Sequence, residues 1–155
     1  MRLCIRVLML ALIILPVACS RQIPSEADLV AMANKMDEGL ADAYNKRDLD
    51  GFLKNYLQTP DLVIVDQGRI LRGFVAWRQE IMNQFKAIGA KKLTFDLLEK
   101  HNLAKGDHVY GFGTFQVLTI AEDGSPQLFK GIYTSIKAWR NGKLVTVMET
   151  YTRVP

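Results

Sequence analysis

The fold is decided by three consecutive segments, VYGFGTFQVLTI at Val109–Ile120, QLFKGIYTSIKAW at Gln127–Trp139 and KLVTVMETYTR at Lys143–Arg153. Each reads as one long extended stretch, and short runs rich in Gly, Asp and Asn separate them, as turns between strands require. A shorter extended stretch, Leu93–Leu98, precedes them. The pattern predicts a meander of long antiparallel strands, and strands of this length curl because of their intrinsic twist.

Three amphipathic helices are predicted before these strands. Ser25 is positioned to cap the first helix, whose apolar residues recur at three- and four-residue steps, with Asp37 away from the stripe. That stripe consists of Leu29, Met32, Met36, Leu40 and Tyr44. The polar run 45–48 ends this helix, a second helix is predicted over the apolar positions within 49–57, and a third follows the turn at Gly73.

A β-branched segment, Leu62–Asp66, lies between the second and third helices, with a short partner strand at Arg69–Leu71. Helices followed mainly by antiparallel strands predict a single α+β domain over residues 26–155. In this fold a cone-shaped, curved antiparallel β-sheet wraps around the long N-terminal helix, with two further helices beside it. The open end of such a cone is the usual place for a small ligand.

Residues 1–19 predict an export signal. Arg2 and Arg6 precede the apolar run Val7–Ala18, which is too short to span a membrane but matches the core of a signal peptide. The small residues before Cys19 resemble a bacterial lipobox, in which the cysteine is acylated and becomes the first mature residue. Residues 1–19 are then the signal peptide, and residues 20–25 form a tether.

Cysteine usage favours this lipoprotein interpretation over ordinary cleavage after Ser20. Cys4 would be lost with the signal, so Cys19 would have no disulfide partner in an oxidising compartment. Acylation of Cys19 accounts for this lone cysteine, whereas cleavage after Ser20 would release a free soluble protein. We therefore expect an exported, periplasmic protein that is anchored to the outer membrane through a lipid on Cys19.

Composition argues against several classes of partner. The formal net charge is +4, and loss of Arg2 and Arg6 would leave about +2, spread along the chain rather than clustered. Nucleic acid is therefore not expected as a partner, because binding to phosphates needs a basic stripe. His101 and His108 lie too far apart in the sequence for a local metal motif, and neither a metal nor a cofactor is expected.

Three motifs together carry a resemblance to one superfamily. They are YNKRDL at 44–49, LVIVDQGRILRG at 62–73 and WRNGKL at 139–144. By their order and spacing, the chain from Asp28 to Val154 resembles the nuclear transport factor 2-like superfamily, in particular its SnoaL-like and DUF4440-like branches. The resemblance implies a cystatin-like fold. It leaves function open, because the superfamily includes isomerases, cyclases, epoxide hydrolases, dehydratases, transport adaptors and domains of no known activity.

The resemblance makes Asp66 and Glu149 the candidate catalytic residues. Asp66 matches the place of the proton-shuttling carboxylate in ketosteroid isomerase-like members, and Glu149 matches that of the catalytic aspartate in epoxide hydrolase-like members. Strand alternation puts Glu149 and Tyr151 on one face, and two carboxylates in an apolar cone would raise one pKa and form an acid–base pair. Alternatively, Asp66 serves a turn, and Glu149 pairs with Arg153 or Lys130 on an exposed face.

Other positions depart from the steroid-isomerase pattern. The tyrosine of that pattern would fall near Leu40 and its neutral acid near Ser135, and neither residue replaces the missing hydrogen-bond donor well. A steroid-isomerase mechanism is therefore not expected. The residues predicted to line a ligand pocket are Tyr133, Ser135, Tyr151, Trp77 and Phe112.

Three functions follow as expectations. The first is an exported domain that binds a small apolar or amphipathic molecule in its cone. The second is an enzyme, an isomerase, hydrolase or dehydratase, that uses Asp66 and Glu149 for acid–base chemistry. The third is a non-catalytic module that dimerises through the outer face of its sheet, where Thr146, Thr150 and Thr152 are expected to be exposed. A homodimer is expected in any of these cases.

Overall fold

A computed structural model describes residues 22–89, 92–121 and 123–154, so the predicted signal peptide and Cys19 lie outside the described residues. Within these ranges no helix has the length and apolar character needed to cross a membrane. The elements in chain order are α1 (Glu26–Lys46), α2 (Leu49–Leu53), β1 (Val63–Asp66), β2 (Arg69–Arg72), α3 (Phe74–Ile88), β3 (Lys92–Lys105), β4 (His108–Ile120), β5 (Pro126–Arg140) and β6 (Lys143–Val154).

The helix signals act where the sequence predicts them, but the second helix is shorter than expected. The Ser25 hydroxyl accepts a hydrogen bond from the backbone N–H of Asp28, and α1 ends where Arg47 adopts a left-handed conformation. The prediction that α2 extends to Leu57 is wrong. The chain leaves the helix after Leu53 because its backbone pairs with β6, where the N–H of Leu57 donates to the carbonyl of Thr146.

The strands form one curved six-stranded sheet in the order β2-β1-β6-β5-β4-β3. Every neighbouring pair is antiparallel except β1 and β6, which run parallel. Strand β3 is longer than the predicted Leu93–Leu98, because its second half also pairs with β4 after a register shift between Leu97 and Glu99. The fold is therefore the predicted α+β arrangement, with a sheet that is mostly rather than wholly antiparallel.

A register shift in β6 changes which of its side chains face the helices. Met148 lies opposite Ile136 but Thr146 lies opposite Lys137, so Val147 is an extra residue that forms a β-bulge. We call the side of the sheet that faces the helices the inner face. Thr146 is on this face, since it pairs directly with inward-pointing Lys137, and it is 1% exposed. The expectation that Thr146 is exposed on the outer face is therefore wrong.

The hydrophobic core fills the space between the helices and the inner face. One buried cluster joins α1, α2, α3 and β1 around Tyr56 and Trp77. A second joins β3 and β4 through Phe95 and Phe115, and a third packs Leu29 of α1 against the far ends of the same two strands. The helices are therefore packed against both ends of the sheet. The candidate site lies between these two packed regions.

Candidate functional site

A cavity of about 340 Å³ lies between α1, α3 and the inner face. We call it the outer cavity. Seven of its lining residues are aromatic, namely Tyr44, Phe52, Trp77, Phe95, Phe115, Phe129 and Tyr151. The Phe115 ring can lie across β5 because residue 131 is glycine, and a Cβ atom there would collide with that ring. The cavity is therefore mainly apolar and aromatic, as small-molecule sites commonly are.

The polar groups of the outer cavity include Asp66, Glu80 and Arg153. Asp66 ends β1, and its side chain is 16% exposed and lies 3.5 Å from the guanidinium of Arg69. Arg69 also contacts Glu80 of α3 at 3.0 Å, so the two carboxylates share one exposed cation. This arrangement gives the apolar cavity a charged edge.

A second, much smaller pocket of about 10 Å³ lies deeper along the inner face. We call it the inner pocket. Its polar lining groups are Asp37, Tyr133, Glu149 and Tyr151, and it shares Leu40, Phe95 and Tyr151 with the outer cavity. Asp66 lines the outer cavity and Glu149 the inner pocket. The two carboxyl groups of the expected Asp66–Glu149 pair thus line different cavities, and the carboxylate that acts on Glu149 is that of Asp37.

Glu149 is held by phenolic groups. The carboxylate is 6% exposed and accepts a hydrogen bond of 2.7 Å from the Tyr56 hydroxyl, which lies 3.1 Å from the hydroxyl of Tyr151. Burial raises the pKa of Glu149 above its ordinary value, and hydrogen bonds from Tyr151 and Tyr56 oppose that rise. Glu149 can thus take up and release a proton nearer to neutral pH than an exposed glutamate does.

The tyrosines around both cavities act as hydrogen-bond donors. Burial raises the pKa values of Tyr56 and Tyr151 well above 10.0, and the nearby Glu149 carboxylate raises them further. Burial, followed by the charge of Asp66, raises the pKa of Tyr44 to about 12. These phenols therefore stay protonated at physiological pH and can donate to an oxygen that carries negative charge.

A buried ion pair lies beside the inner pocket. Lys137 of β5 contacts Asp37 of α1 at 2.9 Å, with side chains only 2% and 7% exposed. Asn102 donates to the Asp37 carboxylate and to Asn34, both at 2.9 Å, and Lys137 donates to the Ser135 hydroxyl at 3.1 Å. We call these five residues the ionic cluster. Each buried charge in it has an opposite charge and a polar neighbour, as burial of ions requires.

Sequence reasoning missed the ionic cluster, although one signal for it was present. The buried side of α1 consists of Leu29, Ala33, Asp37, Leu40 and Ala43, so Asp37 belongs to the apolar stripe rather than lying away from it. Met32, predicted for the stripe, is 41% exposed. The four-residue steps from Leu29 through Ala33 to Asp37 would have indicated the inward position.

Four of the five residues predicted for the ligand pocket lie between the helices and the sheet, Trp77 on α3 and the other three on the inner face. Trp77 and Tyr151 line the outer cavity, Tyr133 lines the inner pocket, and Ser135 belongs to the ionic cluster. The expectation that Phe112 lines the pocket is wrong. It is 53% exposed on the outer face, because strand alternation turns it away from the helices.

No metal centre is formed within the described ranges, since no three His, Cys, Asp or Glu residues there converge in a way that could hold an ion. Asp66 and Glu80 remain at the charged edge of the outer cavity, and Glu149 with its tyrosines remains deeper on the inner face.

No family model and no curated protein matches this chain. Solved structures do match it. A nuclear transport factor 2-like superfamily protein from Salmonella enterica has a TM-score of 0.75 at 13% identity, covering 84% of this chain and 94% of its own. A nuclear transport factor 2-like protein of unknown function from Pseudomonas putida has a TM-score of 0.72 at 16% identity, covering 83% and 89%.

A further match is a protein of unknown function with a cystatin-like fold from Nostoc punctiforme, with a TM-score of 0.67 at 13% identity. It covers 86% of this chain and 96% of its own. At these identities the likeness concerns the fold and not the activity. The chain has the α+β fold of the nuclear transport factor 2-like, or cystatin-like, proteins.

Proposed function

We propose that this protein binds a small, partly apolar molecule in the outer cavity. The observation that carries the proposal is the cavity itself, whose volume of about 340 Å³ falls within the range of about 300–1,000 Å³ typical of small-ligand sites. A compact domain rarely leaves so much apolar space unfilled, because the atoms around a void lose their packing contacts. A bound apolar molecule restores those contacts.

The lining suggests an amphipathic ligand. Its apolar body would lie against the aromatic residues, and its polar end would meet the charged edge near Asp66 and Arg153.

The cellular setting is part of the same proposal and rests on sequence alone. We retain an exported lipoprotein, anchored to the outer membrane through Cys19, in the SnoaL-like or DUF4440-like branch and without a nucleic-acid partner. A homodimer through the outer face has one further support, the apolar residues exposed there. These include Tyr110, Phe112 and Ile132, which are 46%, 53% and 47% exposed.

Binding to the outer cavity can be tested with the two tryptophans of the chain. In a Trp139→Phe background, Trp77 is the only tryptophan and reports on the cavity that it lines. Energy transfer from Trp77 to added 1-aminoanthracene, a small aromatic probe, measures binding. Ala87→Phe narrows the cavity. It should lower the affinity for 1-aminoanthracene about tenfold, equivalent to about 1.4 kcal/mol of binding free energy.

Val75→Phe is the matched control for the cavity variant, because Val75 lies on the same helix, is 80% exposed and does not line the cavity. It should leave the affinity unchanged. Absence of saturable energy transfer in the parent protein would contradict the proposal. So would equal affinities of the Ala87→Phe and Val75→Phe variants, because the probe would then bind elsewhere.

A second candidate function is an acid–base enzyme with Glu149 as the proton-transfer group. The specific observation that favours it is the 2.7 Å hydrogen bond from Tyr56 to a carboxylate that is almost fully buried. A carboxyl group in such a setting combines an elevated pKa with fixed geometry, which general acid–base catalysis needs. Asp66 would then contribute from the outer cavity, without forming a pair with Glu149.

Carboxyl ¹³C NMR titration tests this second candidate, with Glu149→Gln used to assign the signal. The midpoint of Glu149 should lie above its ordinary value of 4.5, because burial disfavours the charged form. A raised pKa in the folded state means that stability present below pH 4.5 is lost as pH rises through the folded pKa. Glu149→Gln should therefore lose less stability than the parent on raising the pH.

Glu38→Gln on the exposed side of α1 is the control for the titration. Its carboxylate is 68% exposed and lies outside both cavities, so its removal should leave the signal assigned to Glu149 in place. A Glu149 midpoint at or below 4.5 would remove the basis for the acid–base function. The ligand-binding proposal would be unaffected by that result.

A further inference from the structure

The hydroxyl of Tyr133 has no role in the site described so far. The residue lies on β5, is 5% exposed, and its hydroxyl makes no hydrogen bond to any described residue. Burial raises the pKa of this phenol, so it remains a donor at physiological pH. Buried polar side chains nearly always have a partner, and an isolated one needs a specific explanation.

The surroundings of this hydroxyl indicate what the partner is. Tyr133 lines the inner pocket together with the carboxylates of Asp37 and Glu149. The pocket volume of about 10 Å³ leaves room for one water molecule, which needs about 10–15 Å³. The polar lining also meets the second requirement of a buried water, which is two to four hydrogen-bonding partners.

We infer that the inner pocket binds one water molecule, which accepts a hydrogen bond from Tyr133 and donates to Asp37 and Glu149. The register of the sheet supports this arrangement. Glu149 pairs with Ser135, and Tyr133 pairs with Tyr151, so Tyr133 and Glu149 are diagonal neighbours on one face. A single oxygen between them satisfies groups that lie too far apart to bond directly.

The charges around the pocket favour water over a cation. Asp37 already has a buried ammonium group beside it, since Lys137 lies 2.9 Å from its carboxylate. A cation in the pocket would add a second positive charge there and would leave the Tyr133 hydrogen without an acceptor. Water both accepts and donates, so it meets the needs of Tyr133 and of the two carboxylates together.

This water also joins the two buried carboxyl groups. It links Asp37 and Glu149 through one oxygen atom, while the phenols of Tyr56 and Tyr151 hold Glu149 in place. The water site stands without the proposed ligand and without the acid–base candidate function.

Water-¹⁷O magnetic relaxation dispersion tests the site, because it counts internal water molecules with long residence times. Tyr133→Phe removes only the hydroxyl, and the number of long-lived waters should fall by one relative to the parent protein. Tyr110→Phe is the matched control, since Tyr110 is 46% exposed on the outer face, and its count should equal that of the parent. Equal counts in the parent and the Tyr133→Phe variant would overturn the inference.

A crystal structure of the parent protein at about 1.5 Å resolution decides the matter if Tyr133→Phe does not fold. An isolated density peak about 2.8 Å from the Tyr133 hydroxyl oxygen is expected. An absent peak, or density continuous with a molecule in the outer cavity, would overturn the inference. If the inner pocket holds no water in a protein that still binds 1-aminoanthracene, the water inference is wrong and the proposed ligand binding is unaffected.

Discussion

The outer cavity and the ionic cluster occupy the same inner face and are built in opposite ways. The outer cavity is lined mainly by aromatic and aliphatic side chains and leaves about 340 Å³ unfilled, with its charges at one edge. The ionic cluster brings Asp37 and Lys137 into the interior and pairs both with amides or hydroxyls. The outer cavity leaves space for another molecule, whereas the polar groups of the ionic cluster find their partners within the chain.

The difference has an energetic basis. An ion moved from water into the interior costs several kcal/mol, so it is tolerated only where an opposite charge and hydrogen bonds meet it. The ionic cluster does this while joining α1 to β3 and β5, and it therefore fixes the helix on the sheet. An apolar cavity has no such directional requirement.

A substitution of Lys137 should have the largest effect on the ionic cluster and so gives the strongest test of its difference from the outer cavity. Lys137→Met keeps most of the unbranched side chain but leaves the Asp37 carboxylate buried without its cation. Removing one partner of a buried ion pair costs about 3–5 kcal/mol, because an uncompensated charge remains in the interior. Urea unfolding should show this loss in the free energy of unfolding. The double variant Asp37→Leu with Lys137→Met should recover most of it, since neither charge is then buried alone.

The control for Lys137 is an exposed ion pair that joins the same helix to the same sheet. Lys100 of β3 contacts Glu38 of α1 at 3.0 Å, but Glu38 is 68% exposed. Lys100→Met should cost about 0–1 kcal/mol, because solvent screens such pairs. If Lys137→Met lowers the free energy of unfolding no more than Lys100→Met does, the buried ion pair contributes no more than an exposed one. The contrast with the outer cavity is then wrong.

Much of the fold could be predicted because its signals are local. The cap at Ser25, the helix start after Gly73 and the turn at Asn141 and Gly142 each follow from the conformations that those residues favour. The inner-face position of Tyr151 could also be predicted, because strand alternation near the end of β6 is regular. Local chemistry and period were sufficient at these positions.

The errors occur where distant parts of the chain decide the outcome. The bulge at Val147 shifts the register by one residue, and such a shift turns every side chain before it to the other face. Lys137 looks like a surface residue when it is considered alone, and the spacing within α1 indicates only that Asp37 points inward. Only their contact across the folded interior makes burial of both charges tolerable, and no local pattern encodes that contact.

A substitution at Gly111 also tests the difference between the ionic cluster and the outer cavity. Its expected effect on the free energy of unfolding is smaller than that of Lys137→Met. A Cβ atom there would lie 2.5 Å from the Ser135 hydroxyl oxygen, 2.8 Å from the side-chain amide oxygen of Asn102 and 3.0 Å from the Lys137 ammonium nitrogen. Gly111→Ala must therefore push the ionic cluster apart, and overpacking of this kind costs about 1–3 kcal/mol. Urea unfolding measures the cost, while the affinity for 1-aminoanthracene in the outer cavity should not change.

Gly39 provides the matched control, because it lies on an exposed position of α1 and a Cβ atom there would meet nothing within 4 Å. Gly39→Ala should raise the free energy of unfolding by about 0.5–1 kcal/mol, since alanine has the higher helix propensity. Opposite signs at the two glycines would show that the ionic cluster has no spare room. If Gly111→Ala is as benign as Gly39→Ala, the ionic cluster accommodates an added methyl group, and tight packing no longer distinguishes it from the outer cavity.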